Sequence, residues 1–112
     1  MSENNRFKEE SLLLIREVSK DPSINQRLLS KRLDISLGKT NYLLKELAKK
    51  GFVKIHNFSK NPKKSKTVRY MLTKKGIDER VNLTRHFLKV KESEFERLKE
   101  EYASYISTTA QG

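Results

Sequence analysis

The chain contains no cysteine, which excludes disulfides and every thiolate-based metal or redox site. Histidine is almost as scarce. His56 and His86 lie far apart and in no ligand-spaced cluster, so no structural metal and no cofactor is expected. No apolar run approaches the roughly 18 residues that span a bilayer, and the opening "MSENNRFKEE" has no apolar signal core. A cytoplasmic chain without membrane association is therefore expected. Acids are nearly missing from residues 36–75, where Glu46 stands alone against twelve lysines and arginines. No Ser-His-Asp or Cys-His set can be assembled, and 112 residues leave little room for a deep pocket beside the core. Catalysis is not expected.

What is present is positive charge, and it is localised. The net charge is +11. Residues 1–35 hold seven basic and six acidic side chains, and residues 76–112 hold six and seven. The excess thus belongs to the middle block. Charge spread for solubility would be diffuse, so confinement to one stretch predicts a surface that faces a polyanion.

The length predicts a single domain with a modest core. Phe7, Leu12, Leu13, Leu14, Ile15 and Val18 fall in a run of helix formers that ends at Asp21-Pro22, because proline disfavours helical geometry in the residue before it. A short extended stretch, Ser23-Ile24, is expected next. Asn25 then caps a second helix with Leu28, Leu29 and Leu33 as its apolar stripe. Asp34 makes the turn and Ile35 plugs it. Ser36 caps a third helix over residues 36–50, with Thr40, Leu43, Leu44 and Leu47 inward and Gly51 at its left-handed end. The period then changes to two. "FVKIHNF" and "TVRYML" alternate as half-buried strands and predict a hairpin over residues 52–73. The segment between them, "SKNPKKSK", would form its tip, with Asn61-Pro62 as a turn signal. Thr73 caps a fourth helix reaching about Ile106, with the last few residues disordered.

This order defines a mainly α fold with a small β-hairpin (α+β): a winged helix-turn-helix domain over 1–75, then a long helix over 76–112. The run "LLSKRLDISLGKTNYLLKELAKKGFVKIHNF" with the later "YMLTKKG" resembles the MarR-type winged-helix transcriptional regulators. It is most similar to a small subgroup associated with exopolysaccharide gene clusters. "SLGKTNYLLKEL", "KKGFVK" and "LTKKG" carry the resemblance, which covers residues 10–100. Asp34 stands where the pattern commonly has glycine, and the wing lacks the Asp-x-Arg signature of the larger members. The resemblance implies a homodimer on double-stranded DNA. Larger relatives often respond to small ligands; this sequence shows no equivalent site, and any effector is unknown.

Gly38-Lys39-Thr40 invites a phosphate-loop reading, but position 33 is leucine where that motif needs glycine, and a helix rather than a strand leads in. The same residues suit the start of a recognition helix, whose first turns enter the major groove. Ser36, Leu37, Gly38, Lys39, Asn41, Tyr42 and Lys45 are the candidates there. Asn41 can pair with adenine and Lys39 with guanine or phosphate; Ser36 can offer a hydroxyl to phosphate. Lys60, Lys63, Lys64, Lys66 and Arg69 are the wing candidates. Gln26, Arg27, Lys31 and Lys54 are candidates for the DNA backbone.

In the last helix Ile77, Val81, Thr84, Leu88, Lys91, Phe95, Leu98, Tyr102 and Tyr105 recur at alternating steps of four and three, a heptad seam. Ile77 and Val81 are expected to pack on the winged domain. Leu88, Lys91, Phe95, Leu98, Tyr102 and Tyr105 are expected to meet a second subunit, with Lys91 breaking the apolar seam. Two other functions fit the same composition. A sequence-independent binder, architectural or RNA-directed, would use the charge without base readout. A winged-helix protein-interaction module would dock on an acidic partner.

Overall fold

The computed structural model describes residues 3–58 and 67–111. Its elements run α1 (Glu3–Lys20), α2 (Gln26–Leu33), α3 (Leu37–Lys49), β1 (Val53–Phe58), β2 (Thr67–Leu72) and α4 (Lys74–Gln111). The fold is a winged helix-turn-helix followed by a long C-terminal helix.

The capping residues act as their chemistry dictates. Asn25 Oδ1 accepts the Leu28 N–H at 2.7 Å and Ser36 Oγ accepts the Lys39 N–H at 3.0 Å, each satisfying a donor that the first helical turn leaves open. Helices α2 and α3 end in the same hydrogen-bond pattern. Asp34 N–H donates to the Lys31 carbonyl and Ile35 N–H to that of Ser30; Gly51 N–H donates to Ala48 and Phe52 N–H to Leu47. This Schellman arrangement needs a left-handed residue at its corner. Asp34 (φ 55) and Gly51 (φ 82) supply it. Aspartate can visit that region but keeps a steric cost that glycine lacks.

Between α1 and α2 the expected extended stretch at Ser23-Ile24 is instead a turn. Ile24 N–H returns to the Asp21 carbonyl at 3.1 Å, and Ser23 N–H donates to Asp21 Oδ1 at 3.2 Å. The aspartate side chain before a proline mimics a backbone turn. Tyr70 N–H of β2 then reaches the Pro22 carbonyl at 2.9 Å and ties the hairpin to this turn.

β1 and β2 pair antiparallel from Val53↔Leu72 to Phe58↔Thr67. Val53 and Tyr70 point into the core, while Met71 on the opposite face is exposed, following the strand period of two. The core joins Leu14, Ile15 and Val18 of α1, Leu29 of α2, Leu43, Leu44 and Leu47 of α3, and Leu83 and Phe87 of α4. Thr40, fully buried, donates its hydroxyl to the Ser36 carbonyl at 2.9 Å, so its burial leaves no donor unpaired. Leu28, expected in the α2 stripe, is exposed, and Ser30 occupies the buried position, donating to the Arg27 carbonyl.

The junction before α4 explains the "LTKKG" motif. Thr73 N–H donates to the Phe52 carbonyl, its hydroxyl lies 2.6 Å from the Gly51 carbonyl, and its Oγ1 accepts the Gly76 N–H at 2.9 Å. Gly76 lies so close to Phe52 that a Cβ there would sit 2.0 Å from that carbonyl oxygen. Glycine is required for the helix to start against the end of β1's lead-in.

Helix α4 continues past Ile106 to Gln111. Its first turns do not pack through Ile77 and Val81, which are exposed; Leu83, Phe87 and Val90 face the core instead. At about 100° per residue these lie roughly a third of the circumference from the seam. At 1.5 Å per residue α4 is about 57 Å long. The radius of gyration is 19.5 Å, against about 13 Å for a compact chain of this length. The outer half of α4 therefore stands clear of the domain.

Candidate nucleic-acid interface

Helix α3 sorts its side chains into two faces. Thr40, Leu43, Leu44 and Leu47 are buried, and diametrically opposite lie Gly38, Tyr42, Lys45 and Lys49, all exposed. No acid falls on that outward line. Leu37 is also exposed, beside the capped N-terminus, where open N–H groups favour anions. Gly38 has no heavy atom within 4 Å of where a Cβ would be, so its side of the helix is open to an approaching backbone.

Two predicted readers sit at the edges of this face and are held by neighbours. Lys39 Nζ makes a 2.8 Å ion pair with Glu10 Oε1 of α1. Asn41 is half-buried, and its Nδ2 donates to Gln26 Oε1 at 3.2 Å. Gln26 thus orients Asn41 across the helix-turn-helix, and this bond uses one of the two amide hydrogens of Asn41 and leaves its carbonyl oxygen unused. Glu10 was not singled out by the sequence, since nothing in a helix-one acid signals a partner 29 residues on. Its second oxygen, Oε2, is buried without a hydrogen-bond partner. Removing Lys39 to a phosphate would leave a half-buried carboxylate uncompensated, so the pair restrains Lys39.

On α2, Arg27 and Lys31 are exposed; on β1, Lys54 is exposed. Arg69 is exposed on β2, opposite His56 in the ladder. Lys60, Lys63, Lys64 and Lys66, and the turn at Asn61-Pro62, lie outside the described residues. Two other lysines of the basic block serve the fold: Lys50 sits 4.7 Å over the Phe7 ring and Lys75 5.5 Å over that of Phe52. His86 is half-buried, with Nε2 3.2 Å from Asn5 Oδ1, so it pins α4 to α1. Among the described residues no group of His, Asp and Glu could hold a metal ion, and no helix is long and apolar enough to cross a membrane.

The second predicted surface is the seam of α4. Leu88, Phe95, Leu98, Tyr102 and Tyr105 are all exposed, Phe95 by 61% and Tyr102 by 67%. Lys91 lies among them with its ammonium 3.5 Å from Glu94. Tyr105 donates its hydroxyl to Glu101 at 2.8 Å, and that bond to a carboxylate holds the phenol pKa above its ordinary value.

Residues 11–54 match a family of winged helix-turn-helix DNA-binding segments. No curated protein sequence matches the chain significantly. Solved structures of MarR-type regulators share its fold. Streptococcus pneumoniae FabT, solved in complex with DNA, is 23% identical over 77% of this chain and 58% of its own, with a TM-score of 0.55. The transcriptional regulator SlyA is 20% identical over 91% and 72%, with a TM-score of 0.63. A mutant of Staphylococcus aureus MepR bound to an oligodeoxyribonucleotide is 16% identical over 88% and 77%, with a TM-score of 0.58. This chain spans less than three-fifths of the FabT structure's length.

Proposed function

We propose that the chain is a MarR-type transcription regulator that binds double-stranded DNA, sequence-specifically and as a homodimer, in the cytoplasm. Helix α3 enters the major groove and the basic wing lies on the adjacent minor groove or backbone. The observation that carries this reading is the acid-free outward face of α3, Gly38-Tyr42-Lys45-Lys49, within a block of twelve basic residues and one acid. Each exposed group there has a use. Lys45 and Lys49 can neutralise phosphates; Tyr42 offers a hydroxyl and a flat face; Gly38 lets the backbone come close. Asn41, oriented by Gln26, is the candidate for adenine. The apolar seam of α4 supports the dimer, and two-fold symmetry implies an inverted-repeat operator with half-sites about one helical turn apart. The link to exopolysaccharide genes rests on the motif resemblance.

The restraint of Lys39 by Glu10 favours one rival, sequence-independent binding, because it removes a base reader while leaving the charge. Selection from random duplexes, followed by anisotropy titration of the selected site and its scrambled version at one salt concentration, separates them. A preference of at least about 10³-fold is expected; a ratio near one rejects the regulator reading. If each subunit neutralises about five phosphates, log K falls with log salt at a slope of about −9.

A further inference from the structure

We infer that the partner covering the α4 seam is a second copy of this chain lying antiparallel, in a register that seats the partner's Phe95 over Thr84. The inference rests on the homodimer proposed above and specifies its geometry.

The seam itself permits several alignments. Antiparallel helices stack one core position of the heptad on the other kind, so the permitted registers differ by half-heptad steps. Flanking charges choose among them, because in this geometry each flank meets the same flank of the partner. One flank of α4 carries Asp78, Arg85, Glu92 and Lys99; the other carries Arg80, Phe87, Glu94 and Glu101. When Leu88 meets the partner's Lys91, Thr84 meets the partner's Phe95, Val81 the partner's Leu98 and Ile77 the partner's Tyr102. Along the flanks Asp78 then meets the partner's Lys99, Arg85 the partner's Glu92 and Arg80 the partner's Glu101. Each charged pair joins opposite signs, and two-fold symmetry makes every pair twice.

The alternatives fail on the same residues. Sliding by one step sets Arg85 against the partner's Lys99 and Glu92 against the partner's Glu92. A second step sets Glu94 against the partner's Glu101, which cancels the Glu92–Lys99 pairs it also makes and leaves no net attraction, and a third sets Lys99 on Lys99 and Glu101 on Glu101. A parallel dimer stacks Lys91 on the partner's Lys91 in the seam and sets Arg80 beside the partner's Arg85. Like charges in contact oppose association and set orientation.

The shape of the single chain agrees. A groove of about 290 Å³ runs between α1 and α4, lined by Leu12, Leu13, Thr84, Phe87 and Leu88. Arg16, Arg80 and Arg85 stand along its continuation beside Val81 and Thr84. The arriving half of the partner's α4 brings Phe95 for the apolar floor, and Glu92, Glu94 and Glu101 for the arginine rim. Small Thr84 leaves the space that a phenyl ring fills. Lys91, unfavourable opposite itself, is placed over Leu88, where its stem covers apolar surface and its ammonium stays wet.

Because the chain has no cysteine, introduced thiols report without background. In the full-length double variant Thr84→Cys/Phe95→Cys, the two sulfurs of one helix are about 16 Å apart and cannot bridge each other. Mild oxidation should link this variant into dimers, while Thr84→Cys alone and Phe95→Cys alone stay unlinked. Linking of both single variants would establish the parallel dimer and overturn the register. A double variant that sediments as a dimer yet does not link would overturn it too, leaving the homodimer intact. A wild-type monomer in sedimentation would remove both the register and the homodimer reading, whatever the DNA titration shows. Charge exchange gives a second readout. Arg80→Glu should raise the dimer dissociation constant about fivefold to tenfold, and Arg80→Glu/Glu101→Arg should restore it; a further loss in the double variant contradicts the pairing.

Discussion

The winged core and the outer half of α4 carry apolar side chains at the same helical spacing, yet one buries them and the other leaves them exposed. Leu14, Ile15, Leu29 and Leu43 are fully buried, whereas Leu88, Leu98 and Tyr102 are more than half exposed. Fully burying such a side chain is worth about 1.5–3 kcal/mol. The core therefore has a reason to fold by itself, and the outer helix has a reason to find a partner. Charge divides along the same line. The basic block belongs to the core's part of the sequence, with Lys45 and Lys49 facing outward from α3, and the seam region is nearly neutral with alternating signs. The proposed function gives each region its own partner, a polyanion for the first and a second copy of the chain for the other.

The two regions meet at Gly76, and the strongest way to break the comparison is there. Gly76→Ala forces a methyl into the Phe52 carbonyl and should cost about 3 kcal/mol or more, seen as a lowered urea midpoint. An unchanged midpoint would mean that α4 does not start against the core as described. Phe95→Asp addresses the outer region alone. It should give a monomer in sedimentation with the thermal transition of the winged core retained; a persistent dimer would discard the seam. Within α3, Lys45→Ala should weaken binding to all duplexes and reduce the salt slope by about one per subunit. Lys39→Ala should change DNA affinity less than Lys45→Ala does, because Lys39 is held by Glu10. The reverse order would show that the ion pair opens on DNA. The smallest effect is expected at Asp34→Gly, which removes the steric cost of the left-handed turn and should stabilise the chain by about 0.5–1 kcal/mol.

Much of the core's layout was legible because its punctuation is local. Asn25, Ser36, Thr73 and Gly51 each act through bonds to residues at most a few positions away, apart from Thr73's reach to Gly51 and Phe52. The period change after Gly51 marked the hairpin, whose ladder joins the expected strands. Less legible was which of two apolar stripes turns inward. On α4 the heptad seam is long and conspicuous, but the short stripe Leu83-Phe87-Val90 carries the packing. Periodicity reveals a face and does not say what lies opposite. The turn that replaces the expected extended stretch at Ser23-Ile24 is hidden for a related reason: the Asp21 side chain and carbonyl close it, and pattern counting ignores those bonds. At the interface, exposure of Tyr42 and Lys45 follows from the helical wheel. The Glu10–Lys39 and Gln26–Asn41 contacts do not, because each joins helices that only the tertiary fold brings together.

The most direct test of the account is the mass of the complex formed on a selected duplex, measured by sedimentation equilibrium or native mass spectrometry. Two chains on one duplex, bound in a single cooperative step and reduced to weak binding of separate chains by Phe95→Asp, is the predicted result. One chain per site with full affinity, or coating of the duplex in proportion to its length, would contradict it.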